Sequence, residues 1–156
     1  MMAKIVFCED EERIRKLIRA MLASLPYEIY MAADGTEGLE LIEKERPDLI
    51  FADISMPGYD GFQLADIIKS RPHLAHIPFI FLTAFAQRGE KEEGRMHGAS
   101  AYLTKPFNYT DLVAKIEQFL PSSVSGEKEA ALREIHEDAT YAKTESSKKK
   151  KPDAAF

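Results

Sequence analysis

Five polar side chains stand where short apolar runs end, and their types suit one chemistry. Glu9 and Asp10 follow Ile-Val-Phe-Cys at 5–8, and Asp53 follows Leu-Ile-Phe-Ala at 49–52. Thr83 follows Phe-Ile-Phe-Leu at 79–82, and Lys105 follows Ala-Tyr-Leu-Thr at 101–104. Carboxylates brought together repel, so they share protons or bind a cation. Oxygen ligands without Cys or His suit Mg2+, which keeps several waters and leaves positions open for phosphate oxygens. A carboxylate can also act as a nucleophile and become an aspartyl phosphate. A metal, a lysine and a hydroxyl would then hold the oxygens on which charge develops during phosphoryl transfer. Taken singly, each residue has a plainer reading: Glu9 or Asp10 a helix cap or solvated loop acid, Thr83 a β-branched strand residue, Lys105 a solvated cation. Asp53 resists such a reading, because an acid at the end of an apolar run is costly unless paired.

The elements that must position these groups follow from hydrophobic spacing. The runs Lys4–Cys8, Glu28–Ala32, Leu49–Asp53, Phe79–Thr83 and Ala101–Thr104 read as strands covered on both faces. Within Glu11–Leu25, Ile14, Leu17, Ile18, Met21, Leu22 and Leu25 form one helical stripe. Leu39 and Ile42 mark a second helix, and Leu64, Ile67 and Ile68 a third. A pattern at about Gln87–His97 is interrupted by Gly89 and Gly94, each costing about 1 kcal/mol against Ala. The last helix spans about Tyr109–Leu120, with Asn108 or Thr110 as its cap. Such alternation predicts a five-stranded parallel sheet with helices on both faces. The functional site of an open sheet lies at the carboxyl ends of its strands, where all five polar residues fall.

The 156-residue chain carries a net charge of −5, all of it within 1–120, which argues against a surface built to grip nucleic acid. Its one cysteine, Cys8, excludes an internal disulfide and reads as a small buried apolar residue in a reducing cytoplasm. No apolar run reaches membrane-span length and no signal peptide is evident. The expected organisation is a domain over 1–120 and a charged, flexible tail over 121–156. That tail holds a short helical stripe within Glu127–Lys143 (Leu132, Ile135, Ala139) and the run Lys148–Lys151.

Three stretches together resemble the bacterial response-regulator receiver domain, in the flavodoxin-like class that includes the chemotaxis protein CheY. They are Ile-Val-Phe-Cys-Glu-Asp-Glu at 5–11, Pro-Asp-Leu-Ile-Phe-Ala-Asp-Ile-Ser-Met-Pro-Gly-Tyr-Asp-Gly at 47–61 and Gly-Ala-Ser-Ala-Tyr-Leu-Thr-Lys-Pro-Phe at 98–107, with Leu-Thr-Ala at 82–84 between them. The resemblance covers about 3–120. It implies a doubly wound (βα)5 fold with strand order 2-1-3-4-5. It also implies that Asp53 accepts a phosphoryl group from a phosphohistidine on a sensor histidine kinase or phosphotransfer protein. Glu9, Asp10 and Asp53, with the Ser55 backbone carbonyl, would hold Mg2+. Lys105 and Thr83 would contact the phosphoryl group, Tyr102 would turn inward as Thr83 moves, and the Lys105–Pro106 bond would be cis. The output partner would read the surface formed by the 87–97 segment, the fifth strand and the last helix, with homodimerisation left open. Glu9 stands where the family most often has aspartate, which leaves open whether it meets the metal directly or through water. Phe85 would either shield the site or pack on the following segment.

Competing readings are weaker. Gly89-x-x-x-x-Gly94-Arg95-Met96 lacks the Lys and Ser/Thr of a phosphate-binding loop, and no Gly-x-Gly-x-x-Gly follows the first strand. His73, His76, His97 and His136 lack metal-ligand spacing, and no DNA-binding motif is present. Two alternatives stand beside a self-contained switch: a receiver fragment of a longer regulator or hybrid kinase, and an Mg2+-dependent phosphatase acting on small molecules.

Overall fold

Burial follows the predicted strands closely. In the structure, a computed structural model that describes residues 2–84, 93 and 95–120, β1 is Ala3–Cys8, β2 Tyr27–Ala32, β3 Leu49–Asp53, β4 Phe79–Thr83 and β5 Ala101–Thr104. They form one sheet in the order β2-β1-β3-β4-β5, and every neighbouring pair is parallel. This is the expected doubly wound, flavodoxin-like α/β fold. Every residue of the central strands β3 and β4 is buried, whereas the edge strand β2 is half-buried along its middle. An inner parallel strand has no solvent face, so its sequence cannot alternate.

The helices are α1 (Glu12–Leu22), α2 (Gly35–Glu45), α3 (Gly61–Ser70) and α4 (Tyr109–Phe119). On one sheet face Val6, Cys8, Ile50, Ala52, Phe79 and Phe81 share a core with Ile42 of α2 and Leu64, Ala65 and Ile68 of α3. Strand alternation turns Ile5, Phe7, Phe51 and Leu82 to the other face. There Phe7 and Phe51 stack with centroids 4.7 Å apart, and the buried stripes of α1 (Ile18, Leu22) and α4 (Leu112, Val113, Ile116) cover them.

Caps set the helix starts. Asp34 accepts from Glu37 N–H at 2.8 Å, and Asp60 and Asn108 form capping boxes with Gln63 and Asp111. The cap expected at Asn108 is therefore present. One helix is shorter than its stripe suggested: α1 stops at Leu22, and Leu25 is buried from the following turn. Pro26 explains this, because the residue before a proline is pushed out of the α region. Of the predicted 87–97 helix, a final turn is described. His97 N–H donates to Glu93 O at 3.1 Å, and Gly98 follows with φ +90°. Its earlier residues, with Phe85, lie outside the described residues. The chain separates into Met1–Ser123 and Val124–Phe156. The helical stripe and lysine run expected after Pro121 also lie outside the described residues.

Cys8 has no exposed surface, and burial, then the charges of Glu37 and Asp34, push its thiol up to about 12. At pH 8 the native protein is expected to react negligibly with Ellman's reagent, and the denatured chain to release one equivalent of thionitrobenzoate. Rapid labelling of the native form would show that β1 is open to solvent.

Candidate functional site

Three strands and one loop deliver the polar residues to a single pocket. β1 hands the chain to Glu9, whose N–H still bonds Ala32 O at 3.0 Å as the ladder runs out. β3 ends in Asp53, which is 8% exposed. β4 ends in Thr83, 3% exposed, whose carbonyl accepts Lys105 N–H at 2.8 Å. Lys105 therefore leaves β5 tied to the end of β4, and its side chain points back across the sheet. The Lys105–Pro106 bond is cis.

The Lys105 ammonium joins the carboxylates. Nζ donates to Asp53 Oδ2 at 2.5 Å and lies 2.9 Å from Glu9 Oε1. Asp53 Oδ1 accepts from Ser55 N–H at 3.1 Å, and Glu9 Oε2 accepts from Glu11 N–H at 3.0 Å. Glu9 is fully buried, yet its Oε1 receives no directed hydrogen bond. The ammonium is close enough to pair electrostatically but is not aligned to donate. Burial pushes the Glu9 carboxyl above its ordinary value and the charge of Asp53 adds to the rise, while Lys105 and the Glu11 amide oppose it. Burial also works against a charged Lys105, but the two carboxylates outweigh it and hold the ammonium above its usual value.

Asp10 is exposed at the mouth. One carboxylate oxygen from each of Glu9, Asp10 and Asp53 lies within 4.8 Å of the others. Three oxygen ligands, one of them from a fully buried residue, fit a hard cation. The structure thus brings together Glu9, Asp10, Asp53 and Lys105, with Thr83 and Ser55 alongside. No histidine joins a group of metal-ligating residues among those described. Instead His73 pairs with Glu43 at 3.0 Å, and His97 with Asp66 at 2.6 Å. Tyr102 is already inside, 5% exposed, with its ring 5.7 Å from Phe81.

Two supports were not apparent from residue types. A Cβ on Gly61 would lie 2.6 Å from Asp53 O, so only glycine lets α3 start against the end of β3. Arg15 donates from Nη1 to Glu9 O at 2.8 Å; on a helix rich in exposed charges its sequence signal is that of a solvated arginine. Beside the pocket, an apolar cleft of about 580 Å3 is lined by Ile14, Leu17, Lys105, Pro106 and Phe107 and flanked by Arg13 and Lys16.

A flavodoxin-like sheet carrying an acidic pocket able to hold a cation beside a lysine at its carboxyl edge defines the class. The chain belongs to the response regulator receiver domain family, whose model matches residues 5–117. It is 35% identical over 116 residues to the polar-differentiation response regulator DivK of Brucella anthropi, covering 74% of this chain and 94% of that protein. It is 44% identical over 115 residues to the transcriptional regulatory protein PdtaR of Mycobacterium tuberculosis, covering 73% of this chain but 55% of that longer one. Among solved structures, the receiver domain of the sensor histidine kinase PA1611 from Pseudomonas aeruginosa PAO1 has magnesium coordinated in its active-site cleft. It aligns with TM-score 0.72 and 31% identity over 78% of this chain and all (100%) of that domain. Receiver domains are signalling switches of two-component systems, and this chain is one of them.

Removing Lys105 strands a buried carboxylate. In chelator at neutral pH, Lys105→Met is expected to destabilise the fold by about 3 kcal/mol, the low end for a broken buried pair, because Glu9 can take up a proton. The double variant Glu9→Gln/Lys105→Met should recover part of that loss in urea unfolding. Equal stability of Lys105→Met and wild type would show that the triad is solvated.

Proposed function

We propose that this receiver accepts a phosphoryl group on Asp53 from a phosphohistidine of a sensor histidine kinase or phosphotransfer protein, and signals by altered partner binding. The observation that carries this reading is the pairing of Asp53 Oδ2 with Lys105 Nζ at 2.5 Å beside Glu9 and Asp10. An Asp53 oxygen forms the new bond to phosphorus, the donor's P–N bond breaks, and the imidazole leaves with the electron pair. Glu9, Asp10 and Asp53, with the Ser55 carbonyl, would hold Mg2+, a choice supported by the oxygen-only donor set and by the magnesium in the PA1611 receiver. When bound, Mg2+ neutralises charge on the phosphoryl oxygens. Lys105 holds one phosphoryl oxygen and the Thr83 hydroxyl another. The donor approaches over the neighbouring apolar cleft, where Ile14, Leu17 and Phe107 offer contact area.

Phosphorylation adds roughly −1.5 to −2 charges and three acceptor oxygens. Moving a population from 1:99 to 99:1 needs about 5.5 kcal/mol. A few charge-assisted hydrogen bonds of about 1.5–3 kcal/mol each can supply it. Since Tyr102 already occupies the inward position, phosphorylation holds it there at the expense of outward positions rather than creating a new one. The output partner reads the 87–97 segment, β5 and α4. The protein is then a cytoplasmic phosphoacceptor switch and not a turnover enzyme. The length of PdtaR keeps a second reading in view, a receiver segment of a longer regulator.

Acetyl phosphate with Mg2+ should add one phosphoryl group, seen as an acid-stable, hydroxylamine-labile mass increase, and Asp53→Asn should abolish it. Undiminished labelling of that variant would refute the assignment. Thr83→Ala should still be labelled, yet lose the hydrogen-exchange changes over 84–106 that phosphorylation produces in the wild type. If those changes persist in Thr83→Ala, Thr83 does not transmit the signal.

A further inference from the structure

Glu9 is fully buried and lies just past the last paired residue of β1, so its carbonyl needs a donor from outside the sheet. Arg15, half-buried on α1, supplies one from Nη1 at 2.8 Å. No carboxylate among the described residues pairs with this guanidinium. Two further bonds close the arrangement. Arg15 N–H donates to Glu11 O at 3.1 Å, and Glu11 N–H donates to Glu9 Oε2 at 3.0 Å. Residues 9, 11 and 15 are thereby stitched together around Asp10. The Asp10 side chain makes no hydrogen bond of its own among the described residues, so the main chain on either side sets where its carboxylate points.

We propose that Arg15 is a positioning residue for the metal pocket, fixing the Glu9–Asp10 peptide so that the two carboxylates converge with that of Asp53. The proposal rests on the reading of those three residues as the metal site. Arg15 is not itself one of the candidate ligands and acts through the Glu9 carbonyl. Two opposing effects make the role measurable. A guanidinium repels a divalent cation, so by charge alone its removal tightens metal binding. A lost support around the ligands instead weakens binding, typically 10–100-fold. Lys keeps the charge but presents one compact donor in place of the planar fork.

The test is a MgCl2 titration of the full chain followed by amide chemical shifts, in wild type, Arg15→Gln and Arg15→Lys, each shown to be folded by its dispersed spectrum. Wild type should show saturable shifts at 9–11 and 53–55. Arg15→Gln should bind at least about 10-fold more weakly, with Arg15→Lys between the two. Unchanged or tighter binding by folded Arg15→Gln overturns the positioning role, leaving Arg15 as a donor that satisfies a buried carbonyl. Absence of saturable shifts in the wild type overturns instead the metal reading beneath it. Should Arg15→Gln not fold, Arg15→Lys decides: weaker binding supports the role, and equal binding overturns it.

Discussion

The Lys105 ammonium is the contact on which the pocket depends. Glu9, Asp10 and Asp53 each bring an oxygen within 4.8 Å of the others. At an effective dielectric of about 20, two like charges about 5 Å apart repel by about 3 kcal/mol. One lysine reaches two of the carboxylates, at 2.5 Å and 2.9 Å. It offsets the repulsion between the two buried acids and leaves the pocket net negative. A folded domain can keep such an excess only if solvent or a second cation answers it. The exposed Asp10 and the open mouth allow both.

Sheet order dictates which side chains can do this. β4 lies between β3 and β5, so the ends of β3 and β5 are about 10 Å apart. A bridge across that gap needs a long side chain from the flank, which Lys105 supplies. On the other side β1 is the neighbour of β3, and Glu9 uses its length to reach the same ammonium. Glu9 also serves the helix that follows it, because its second oxygen receives the Glu11 amide at the start of α1. One oxygen of Glu9 thus faces the ammonium and the other the amide of the residue just before α1.

Much of this was legible because the inner strands of a parallel sheet are apolar throughout. A polar residue ending such a run is visible in the sequence, and the bounds of β3, β4 and β5 matched their runs. What escaped depends on contacts between main chain and side chain that leave no pattern in residue types. Arg15 sits among Arg13, Lys16 and Arg19, and nothing in its type separates it from them until its partner, a carbonyl, is seen. Gly61 reads as a turn glycine in Tyr-Asp-Gly, whereas its reason is the 2.6 Å approach to Asp53 O. The end of α1 was overextended because periodicity continues to Leu25 while Pro26 forbids the helix to follow it.

The same packing that builds the pocket continues outward from β4. Phe81 lies two residues before Thr83 on β4, on the same face. Its ring meets Tyr102 at 5.7 Å and Phe62 at 5.1 Å. Phe62 in turn stacks on His97 at 4.9 Å, and His97 Nδ1 pairs with Asp66 at 2.6 Å. Phe81 and Tyr102 are buried, whereas Phe62 and His97 are half-buried, so the row of rings leads from the core to the surface. Ring contacts thus run from the end of β4 to β5 through Tyr102 and to residue 97 through Phe62. β2, the far edge of the sheet, is separated from β4 by β1 and β3, whose side chains are almost all buried. The strand order thus puts the aromatic contacts of Phe81 on one side of β3 and the Glu9 carboxylate that follows β1 on the other.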